Sequence, residues 1–110
     1  MNDIPEDVLN QCSSYAEKFI EEESCGVIIN SHKGLLFKPC ENQHYNKQNF
    51  FLIDPQEFIN NDVRYVFHSH WNIGCRPSSF DKKNCNELCI PFLIYSLYDK
   101  QFYLYDNMSV

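Results

Sequence analysis

The stretch His68-Ser69-His70-Trp71-Asn72-Ile73-Gly74-Cys75-Arg76-Pro77-Ser78-Ser79-Phe80-Asp81 decides how this chain is read. It begins at the end of a run from Val63 to His70 that predicts a strand, with Tyr65 and Phe67 on one face. Val66, His68 and His70 then share the other face, because residues two apart on a strand point the same way. Trp71 to Pro77 reads as a loop, and Ser78 or Ser79 opens a helix running to about Leu88. Asp81 falls in the first turn of that helix, where a carboxylate can swing back toward the strand end. Two imidazoles and one carboxylate are a ligand set for zinc with an open fourth position, the mark of a catalytic site. Zinc bound there lowers the pKa of its water to ~7 and makes hydroxide available at neutral pH.

The same residues have ordinary uses. Ser78 followed three residues later by Asp81 is a serviceable helix cap, and a His-x-His on an apolar strand can be two satisfied core histidines. The whole pattern, His-x-His-x7-Ser-x2-Asp, fixes four positions at once. At this chain's composition a chance match arises about once in a thousand sequences, which favours the metal reading.

Working outward, residues 3 to 23 carry a helical signature, with Asp3 as N-cap, Pro5 in the first turn, and Glu6 and Asp7 complementing the helix dipole. Val8, Leu9, Cys12, Tyr15, Ala16, Phe19 and Ile20 form its apolar face. Cys25 to Ile29 and Gly34 to Phe37 predict a hairpin, and Pro39 to Gln48 a loop. Phe50 to Ile53 reads as a third strand, closed by Asp54-Pro55 and a short helical stretch to Asn60. Pro91 to Tyr98 and Phe102 to Tyr105 predict a terminal hairpin around Asp99-Lys100. The expected fold class is α/β, a mixed β-sheet flanked by helices, in one domain over residues 1–110.

Composition narrows the function classes. The 110 residues are 44% hydrophobic and 22% charged, ordinary globular values that argue against global disorder. A net charge of −6 with no Lys/Arg block argues against nucleic acid as a partner. The longest apolar run, Cys89 to Tyr95, is far short of the ~18 residues of a membrane span, and the N-terminus has no apolar signal region. A cytoplasmic, unsecreted protein is expected, and its six cysteines are read as reduced thiols. No CxxC pair points to a zinc ribbon. Cys85 and Cys89, four apart, read as one core face of a helix rather than a ligand pair.

The histidine–serine–aspartate pattern resembles the motif of the JAMM (JAB/MPN domain) zinc metalloproteases. That family carries an upstream glutamate before a strand, as Glu-x-Cys-Gly followed by aliphatics. Glu23-Ser24-Cys25-Gly26-Val27-Ile28-Ile29 matches it, and singles out Glu23 from the run Glu21-Glu22-Glu23. The resemblance implies an MPN/JAB (cytidine-deaminase-like) fold, one catalytic Zn2+ on His68, His70 and Asp81, Glu23 as general acid/base, and Ser78 supporting the tetrahedral intermediate. It covers about Glu21 to Asp106. A nucleobase deaminase is excluded, because its signature is His-x-Glu with Pro-Cys-x-x-Cys.

Outside the core motif the chain looks most like bacterial and phage tail assembly JAB domains, through Phe37-Lys38-Pro39-Cys40-Glu41-Asn42, Phe51 to Phe58, Arg76-Pro77-Ser78 and Ile90 to Ser96. Trp71 stands where proline is common, and the NlpC-type second domain of the tail proteins is not in this sequence. Cys75, in the loop after the histidines, reads as incidental to the metal. The resemblance implies a metallopeptidase acting on a peptide or isopeptide bond of a protein substrate, a phage tail protein or a ubiquitin-like one. Phage encoding would place it in host cytoplasm or virion. A non-enzymatic MPN scaffold in an assembly and a deubiquitinase-like processing enzyme are the alternatives. Trp71 is read either as part of a substrate groove or as a core tryptophan capping the strand.

Overall fold

Apolar residues sort onto both faces of one sheet, and each face has its own core. The computed structural model describes residues 3–106. The elements run α1 (Glu6–Ala16), β1 (Cys25–Ser31), β2 (Gly34–Cys40), α2 (Gln56–Asn60), β3 (Val63–His70), α3 (Ser79–Leu88), β4 (Phe92–Ser96) and β5 (Gln101–Tyr105). The five strands lie in the order β2-β1-β3-β4-β5. All neighbours are antiparallel except β3 and β4. A parallel pair needs a crossover, and α3 lies within it. The domain is α/β, a mixed sheet flanked by helices.

On one face Ile4, just ahead of α1, and Val8, Cys12 and Ala16 of α1 pack with Ile28, Phe37, Phe67, Leu93 and Tyr95. On the other, Cys25, Val27, Val66, Phe92 and Ile94 meet Phe51 and Ile53 from the long loop and Cys85 from α3. Burying such side chains stabilises each face by ~1.5–3 kcal/mol per large residue. β3 is central and has the bounds its alternation predicts.

Two glycines are needed where they stand. A Cβ on Gly26 would come within 2.6 Å of the Phe37 ring and 2.7 Å of the Lys38 carbonyl, so β2 can cross there only over glycine. Gly34 turns the β1–β2 hairpin at φ +103°, a conformation other residues rarely adopt.

Several expectations are corrected. The first helix begins after Pro5, which caps it with extended backbone and no side-chain bond, so Asp3 is not the cap. It ends at Ala16, not residue 23. Lys18 and Phe19 donate to carbonyls three residues back, a tightening that closes the helix. Ile20 is consequently exposed rather than on the apolar face. Strand β2 continues to Cys40, taking Pro39 and Cys40 out of the predicted loop.

Residues 50–53 form no strand. The Asn42 side chain takes the Phe50 carbonyl and the Leu52 N–H, loop backbone at Asn46 and Gln43 takes the Phe50 N–H and the Leu52 carbonyl, and Phe51 and Ile53 still enter the core. Cys85 and Cys89 do not share a face: Cys85 is buried, whereas Cys89 is the exposed left-handed C-cap of α3. Among the described residues no helix is long and apolar enough to cross a membrane.

Candidate metal centre

β3 ends at His70, and nine residues later α3 begins at Ser79, so the carboxyl end of a parallel strand faces a helix start. That is the usual place for a site in an open α/β sheet. His68, His70 and Asp81 are all buried, with ligand atoms within 4.8 Å of one another. Asp81 Oδ1 lies 3.1 Å from His68 Nε2, and Oδ2 lies 3.1 Å from His70 Nε2. Tetrahedral zinc with 2.0–2.1 Å bonds spaces its ligand atoms roughly 3.4 Å apart, so the cluster is close to the span such an ion needs.

The two imidazoles differ in how they are held. His70 Nδ1 lies 2.7 Å from the Gly74 carbonyl, and as donor there it presents Nε2 to Asp81. His68 is fully buried, stacked on Phe51 at 4.4 Å and edge-on to Phe92. Among the described residues neither of its ring nitrogens has a hydrogen-bond partner. The approach of its Nε2 to Asp81 is therefore close in distance but misdirected for a proton.

Burial lowers the His68 pKa against the pull of Asp81, which favours the neutral, ligating form. Burial also depresses His70, but the bonds to Asp81 and the Gly74 carbonyl outweigh it and leave that pKa raised. For Asp81 burial acts upward. The nearby His68 imidazole and the hydrogen bonds with His70 and the Ser78 N–H overcome it and hold the carboxyl well below its usual range. A carboxylate between two imidazole nitrogens calls for positive charge among them. A proton on His70 supplies it but leaves His68 without a partner, whereas a divalent cation serves all three. The donor set fits a metal ion.

The run Glu21-Glu22-Glu23 passes from exposed to half-buried to buried within three residues. Glu23, 7% exposed, has its pKa raised to about 9 by burial and then by the nearby charge of Asp81. Its backbone N–H donates to the Lys47 carbonyl, and its carbonyl accepts from Asn42 Nδ2. The next residue is clamped to the histidine strand. Ser24 N–H donates to Ser69 Oγ at 2.9 Å, the two hydroxyls meet at 2.8 Å, and Ser69 N–H donates to the Ser24 carbonyl. The residue between the histidines thus carries Glu23 into their neighbourhood.

Ser78 caps α3. Its Oγ accepts from Asp81 N–H, and its own N–H donates to Asp81 Oδ2. The capping box and the metal reading are the same arrangement, since the cap fixes the carboxylate that faces the histidines. The Ser78 hydroxyl proton is not used by the cap. Trp71 is half-buried, and its indole N–H donates to the Gln48 carbonyl at 2.8 Å, which ties the 41–52 loop to the end of β3. It is no fully buried core tryptophan. Cys75 turns into the core beside Val66 and Phe92, outside the ligand cluster.

Sequence reasoning missed the supports. Asn42 uses both ends of its amide, donating to the Glu23 and Phe50 carbonyls and accepting from the His44 and Leu52 N–H groups. Ser96 Oγ donates to the Ile73 carbonyl at 2.6 Å, and Leu97 N–H donates to that of His70. Those bonds hold the loop whose Gly74 carbonyl orients His70. Asn42 stands in the stretch that carries the tail-domain resemblance, the one signal that pointed to it.

No protein-family model matches the chain, and no curated protein does. Solved structures do match. One is a protein from Desulfitobacterium hafniense, solved in solution, with TM-score 0.69 and 20% identity over 90% of this chain and 77% of that one. Another is a solution structure from Salinibacter ruber, with TM-score 0.61 and 18% identity over 93% and 79% of the two chains. At such identities the likeness establishes a shared fold and nothing of activity.

Proposed function

We propose that this protein is a zinc-dependent metallopeptidase of the JAMM type, with the MPN/JAB fold, that hydrolyses a peptide or isopeptide bond. The observation that carries the reading is the buried His68–His70–Asp81 cluster with an orphaned imidazole and a separate buried carboxyl, Glu23, beside it. His68, His70 and Asp81 would hold the ion. Bound zinc supplies a water of pKa ~7 and polarises a carbonyl.

The remaining work falls to the chain. Glu23 takes a proton at its carboxylate and returns it to the departing amine, a role suited to a carboxyl whose pKa its surroundings can move. The Ser78 hydroxyl, its oxygen already engaged by the cap, has its proton to offer a developing oxyanion. Ser24, Ser69 and Asn42 keep Glu23 in position. Phe51 and Phe92 exclude water from the His68 side. The substrate is a protein or peptide, and the tail-domain resemblance favours a phage tail protein over a ubiquitin-like one.

The test is Glu23→Gln, which keeps shape but removes the base. It should retain zinc and fold and lose turnover by at least ~100-fold on tail-protein peptides or ubiquitin-like C-terminal fusions. Equal activity in Glu23→Gln and loss in Glu22→Gln would overturn the assignment, and efficient cleavage of diubiquitin would reverse the substrate preference. A non-enzymatic MPN scaffold is the second reading, favoured by the fact that Asp81 already bonds the Ser78 N–H and His70. Silence of zinc-loaded protein on every peptide would select it.

A further inference from the structure

Beside Glu23, on the side of α1, lies a pocket of about 300 Å³ walled by Tyr15, Phe19, Glu22, Pro39, Glu41 and Lys47. Glu23 also lines it. Three glutamates and one lysine thus line it. The Tyr15 hydroxyl donates to the Cys40 carbonyl at 3.2 Å, which fixes its ring, and Phe19 leans on that ring at 5.0 Å. Two aromatic rings beside carboxylates form a surface that attracts a cation more than either feature alone. Glu23 is more than nine-tenths buried, and its carboxyl has no hydrogen-bond partner among the described residues. The pocket has room for one long side chain.

We propose that this pocket receives a cationic side chain, a lysine ammonium or an arginine guanidinium, carried by the substrate on the leaving-group side of the scissile bond. The side follows from chemistry. Glu23 is the group that hands a proton to the departing amine, so a pocket that shares Glu23 adjoins the amine half of the substrate. That placement rests on the hydrolase reading, but the cation preference does not, because it follows from the pocket's own walls. Glu22 and Glu41 carry the selectivity. Lys47 opposes it and sets the rim, with its backbone carbonyl held by Glu23 N–H.

The test uses the full chain labelled with nitrogen-15 and two small probes, N-acetyl-lysine amide and its neutral isostere N-acetyl-norleucine amide. The lysine probe should shift the amide signals of Glu22, Glu23, Glu41 and Asn42. The norleucine probe should bind at least about tenfold more weakly. Glu22→Gln/Glu41→Gln, changes at half-buried and exposed positions that leave the fold intact, should erase the difference. His70→Ala should leave it unchanged, since no metal takes part. Equal affinity for the two probes, or a lysine preference that survives the double variant, overturns the pocket assignment. On zinc-loaded protein, peptides with lysine directly after the cleaved bond should turn over about tenfold better than those with norleucine. Lysine binding without any turnover would sink the hydrolase reading and leave the pocket standing, so the two failures are distinguishable.

Discussion

Strand β3 is buried on both faces and carries opposite chemistry on them. Toward α1 it presents Phe67, enclosed by Ile28, Leu93 and the helix. Toward α3 it presents Val66 and then two imidazoles facing a carboxylate. A hydrocarbon face is stabilised by contact alone and loses stability in proportion to the cavity left behind. A face with buried ionisable groups stays in place only while their charges and hydrogen bonds balance. The comparison teaches that the hydrocarbon core and the candidate metal cluster reside on different sides of one strand, so stability and the proposed metal binding should separate on mutation.

Phe67→Ala is the largest expected effect. It should cost about 3–5 kcal/mol by chemical denaturation, yet leave zinc near one per folded chain. Zinc loss from the folded fraction would show that the two faces are coupled. Next comes Asn42→Ala, which strands two carbonyls and two N–H groups at the site edge. A loss of roughly 2–4 kcal/mol is expected, with Glu23 displaced and turnover reduced while zinc content holds. Unchanged stability would mean that the loop's bonds are easily replaced by water.

The third expectation concerns pH in metal-free protein. Glu23 is raised from 4.5 to about 9, so the folded state keeps a proton that the unfolded chain releases. Its contribution is full below the unfolded pKa of ~4.3 and is lost as pH rises through 9. Stability of the wild type relative to Glu23→Gln should therefore fall between pH 5 and 9, by at least ~1 kcal/mol. Parallel stability curves would place the Glu23 carboxyl in water. The smallest effect is Trp71→Ala. Losing one bond to the Gln48 carbonyl should cost about 0.5–1.5 kcal/mol with zinc unchanged. A loss near that of Phe67→Ala would restore the core reading of the tryptophan.

Legibility of the sequence follows the same division. β3 was readable to the residue because alternation on a central strand is enforced from both sides, and α3 because Ser78 and Asp81 announce its cap. Residues 50–53 misread as a strand since Phe51 and Ile53 alternate like one. Burial pattern does not reveal that a side-chain amide and loop backbone, rather than a neighbouring strand, take the backbone bonds. The first helix overran because Phe19 and Ile20 keep its period, while it closes after Ala16 in a tighter turn that no Gly or Pro announces. The three residues that could hold a metal ion were legible as a spacing. Ser24, Ser69 and Ser96 were not, because a buried serine that bonds backbone has no period and no partner at fixed distance.

The central claim is that His68, His70 and Asp81 bind one catalytic metal ion, and metal analysis of protein purified without chelator tests it most directly. About one zinc per chain is expected for the wild type, and none for His70→Ala or for His68→Ala/His70→Ala. A wild type free of zinc after loading, or zinc that persists in the double variant, would contradict the assignment.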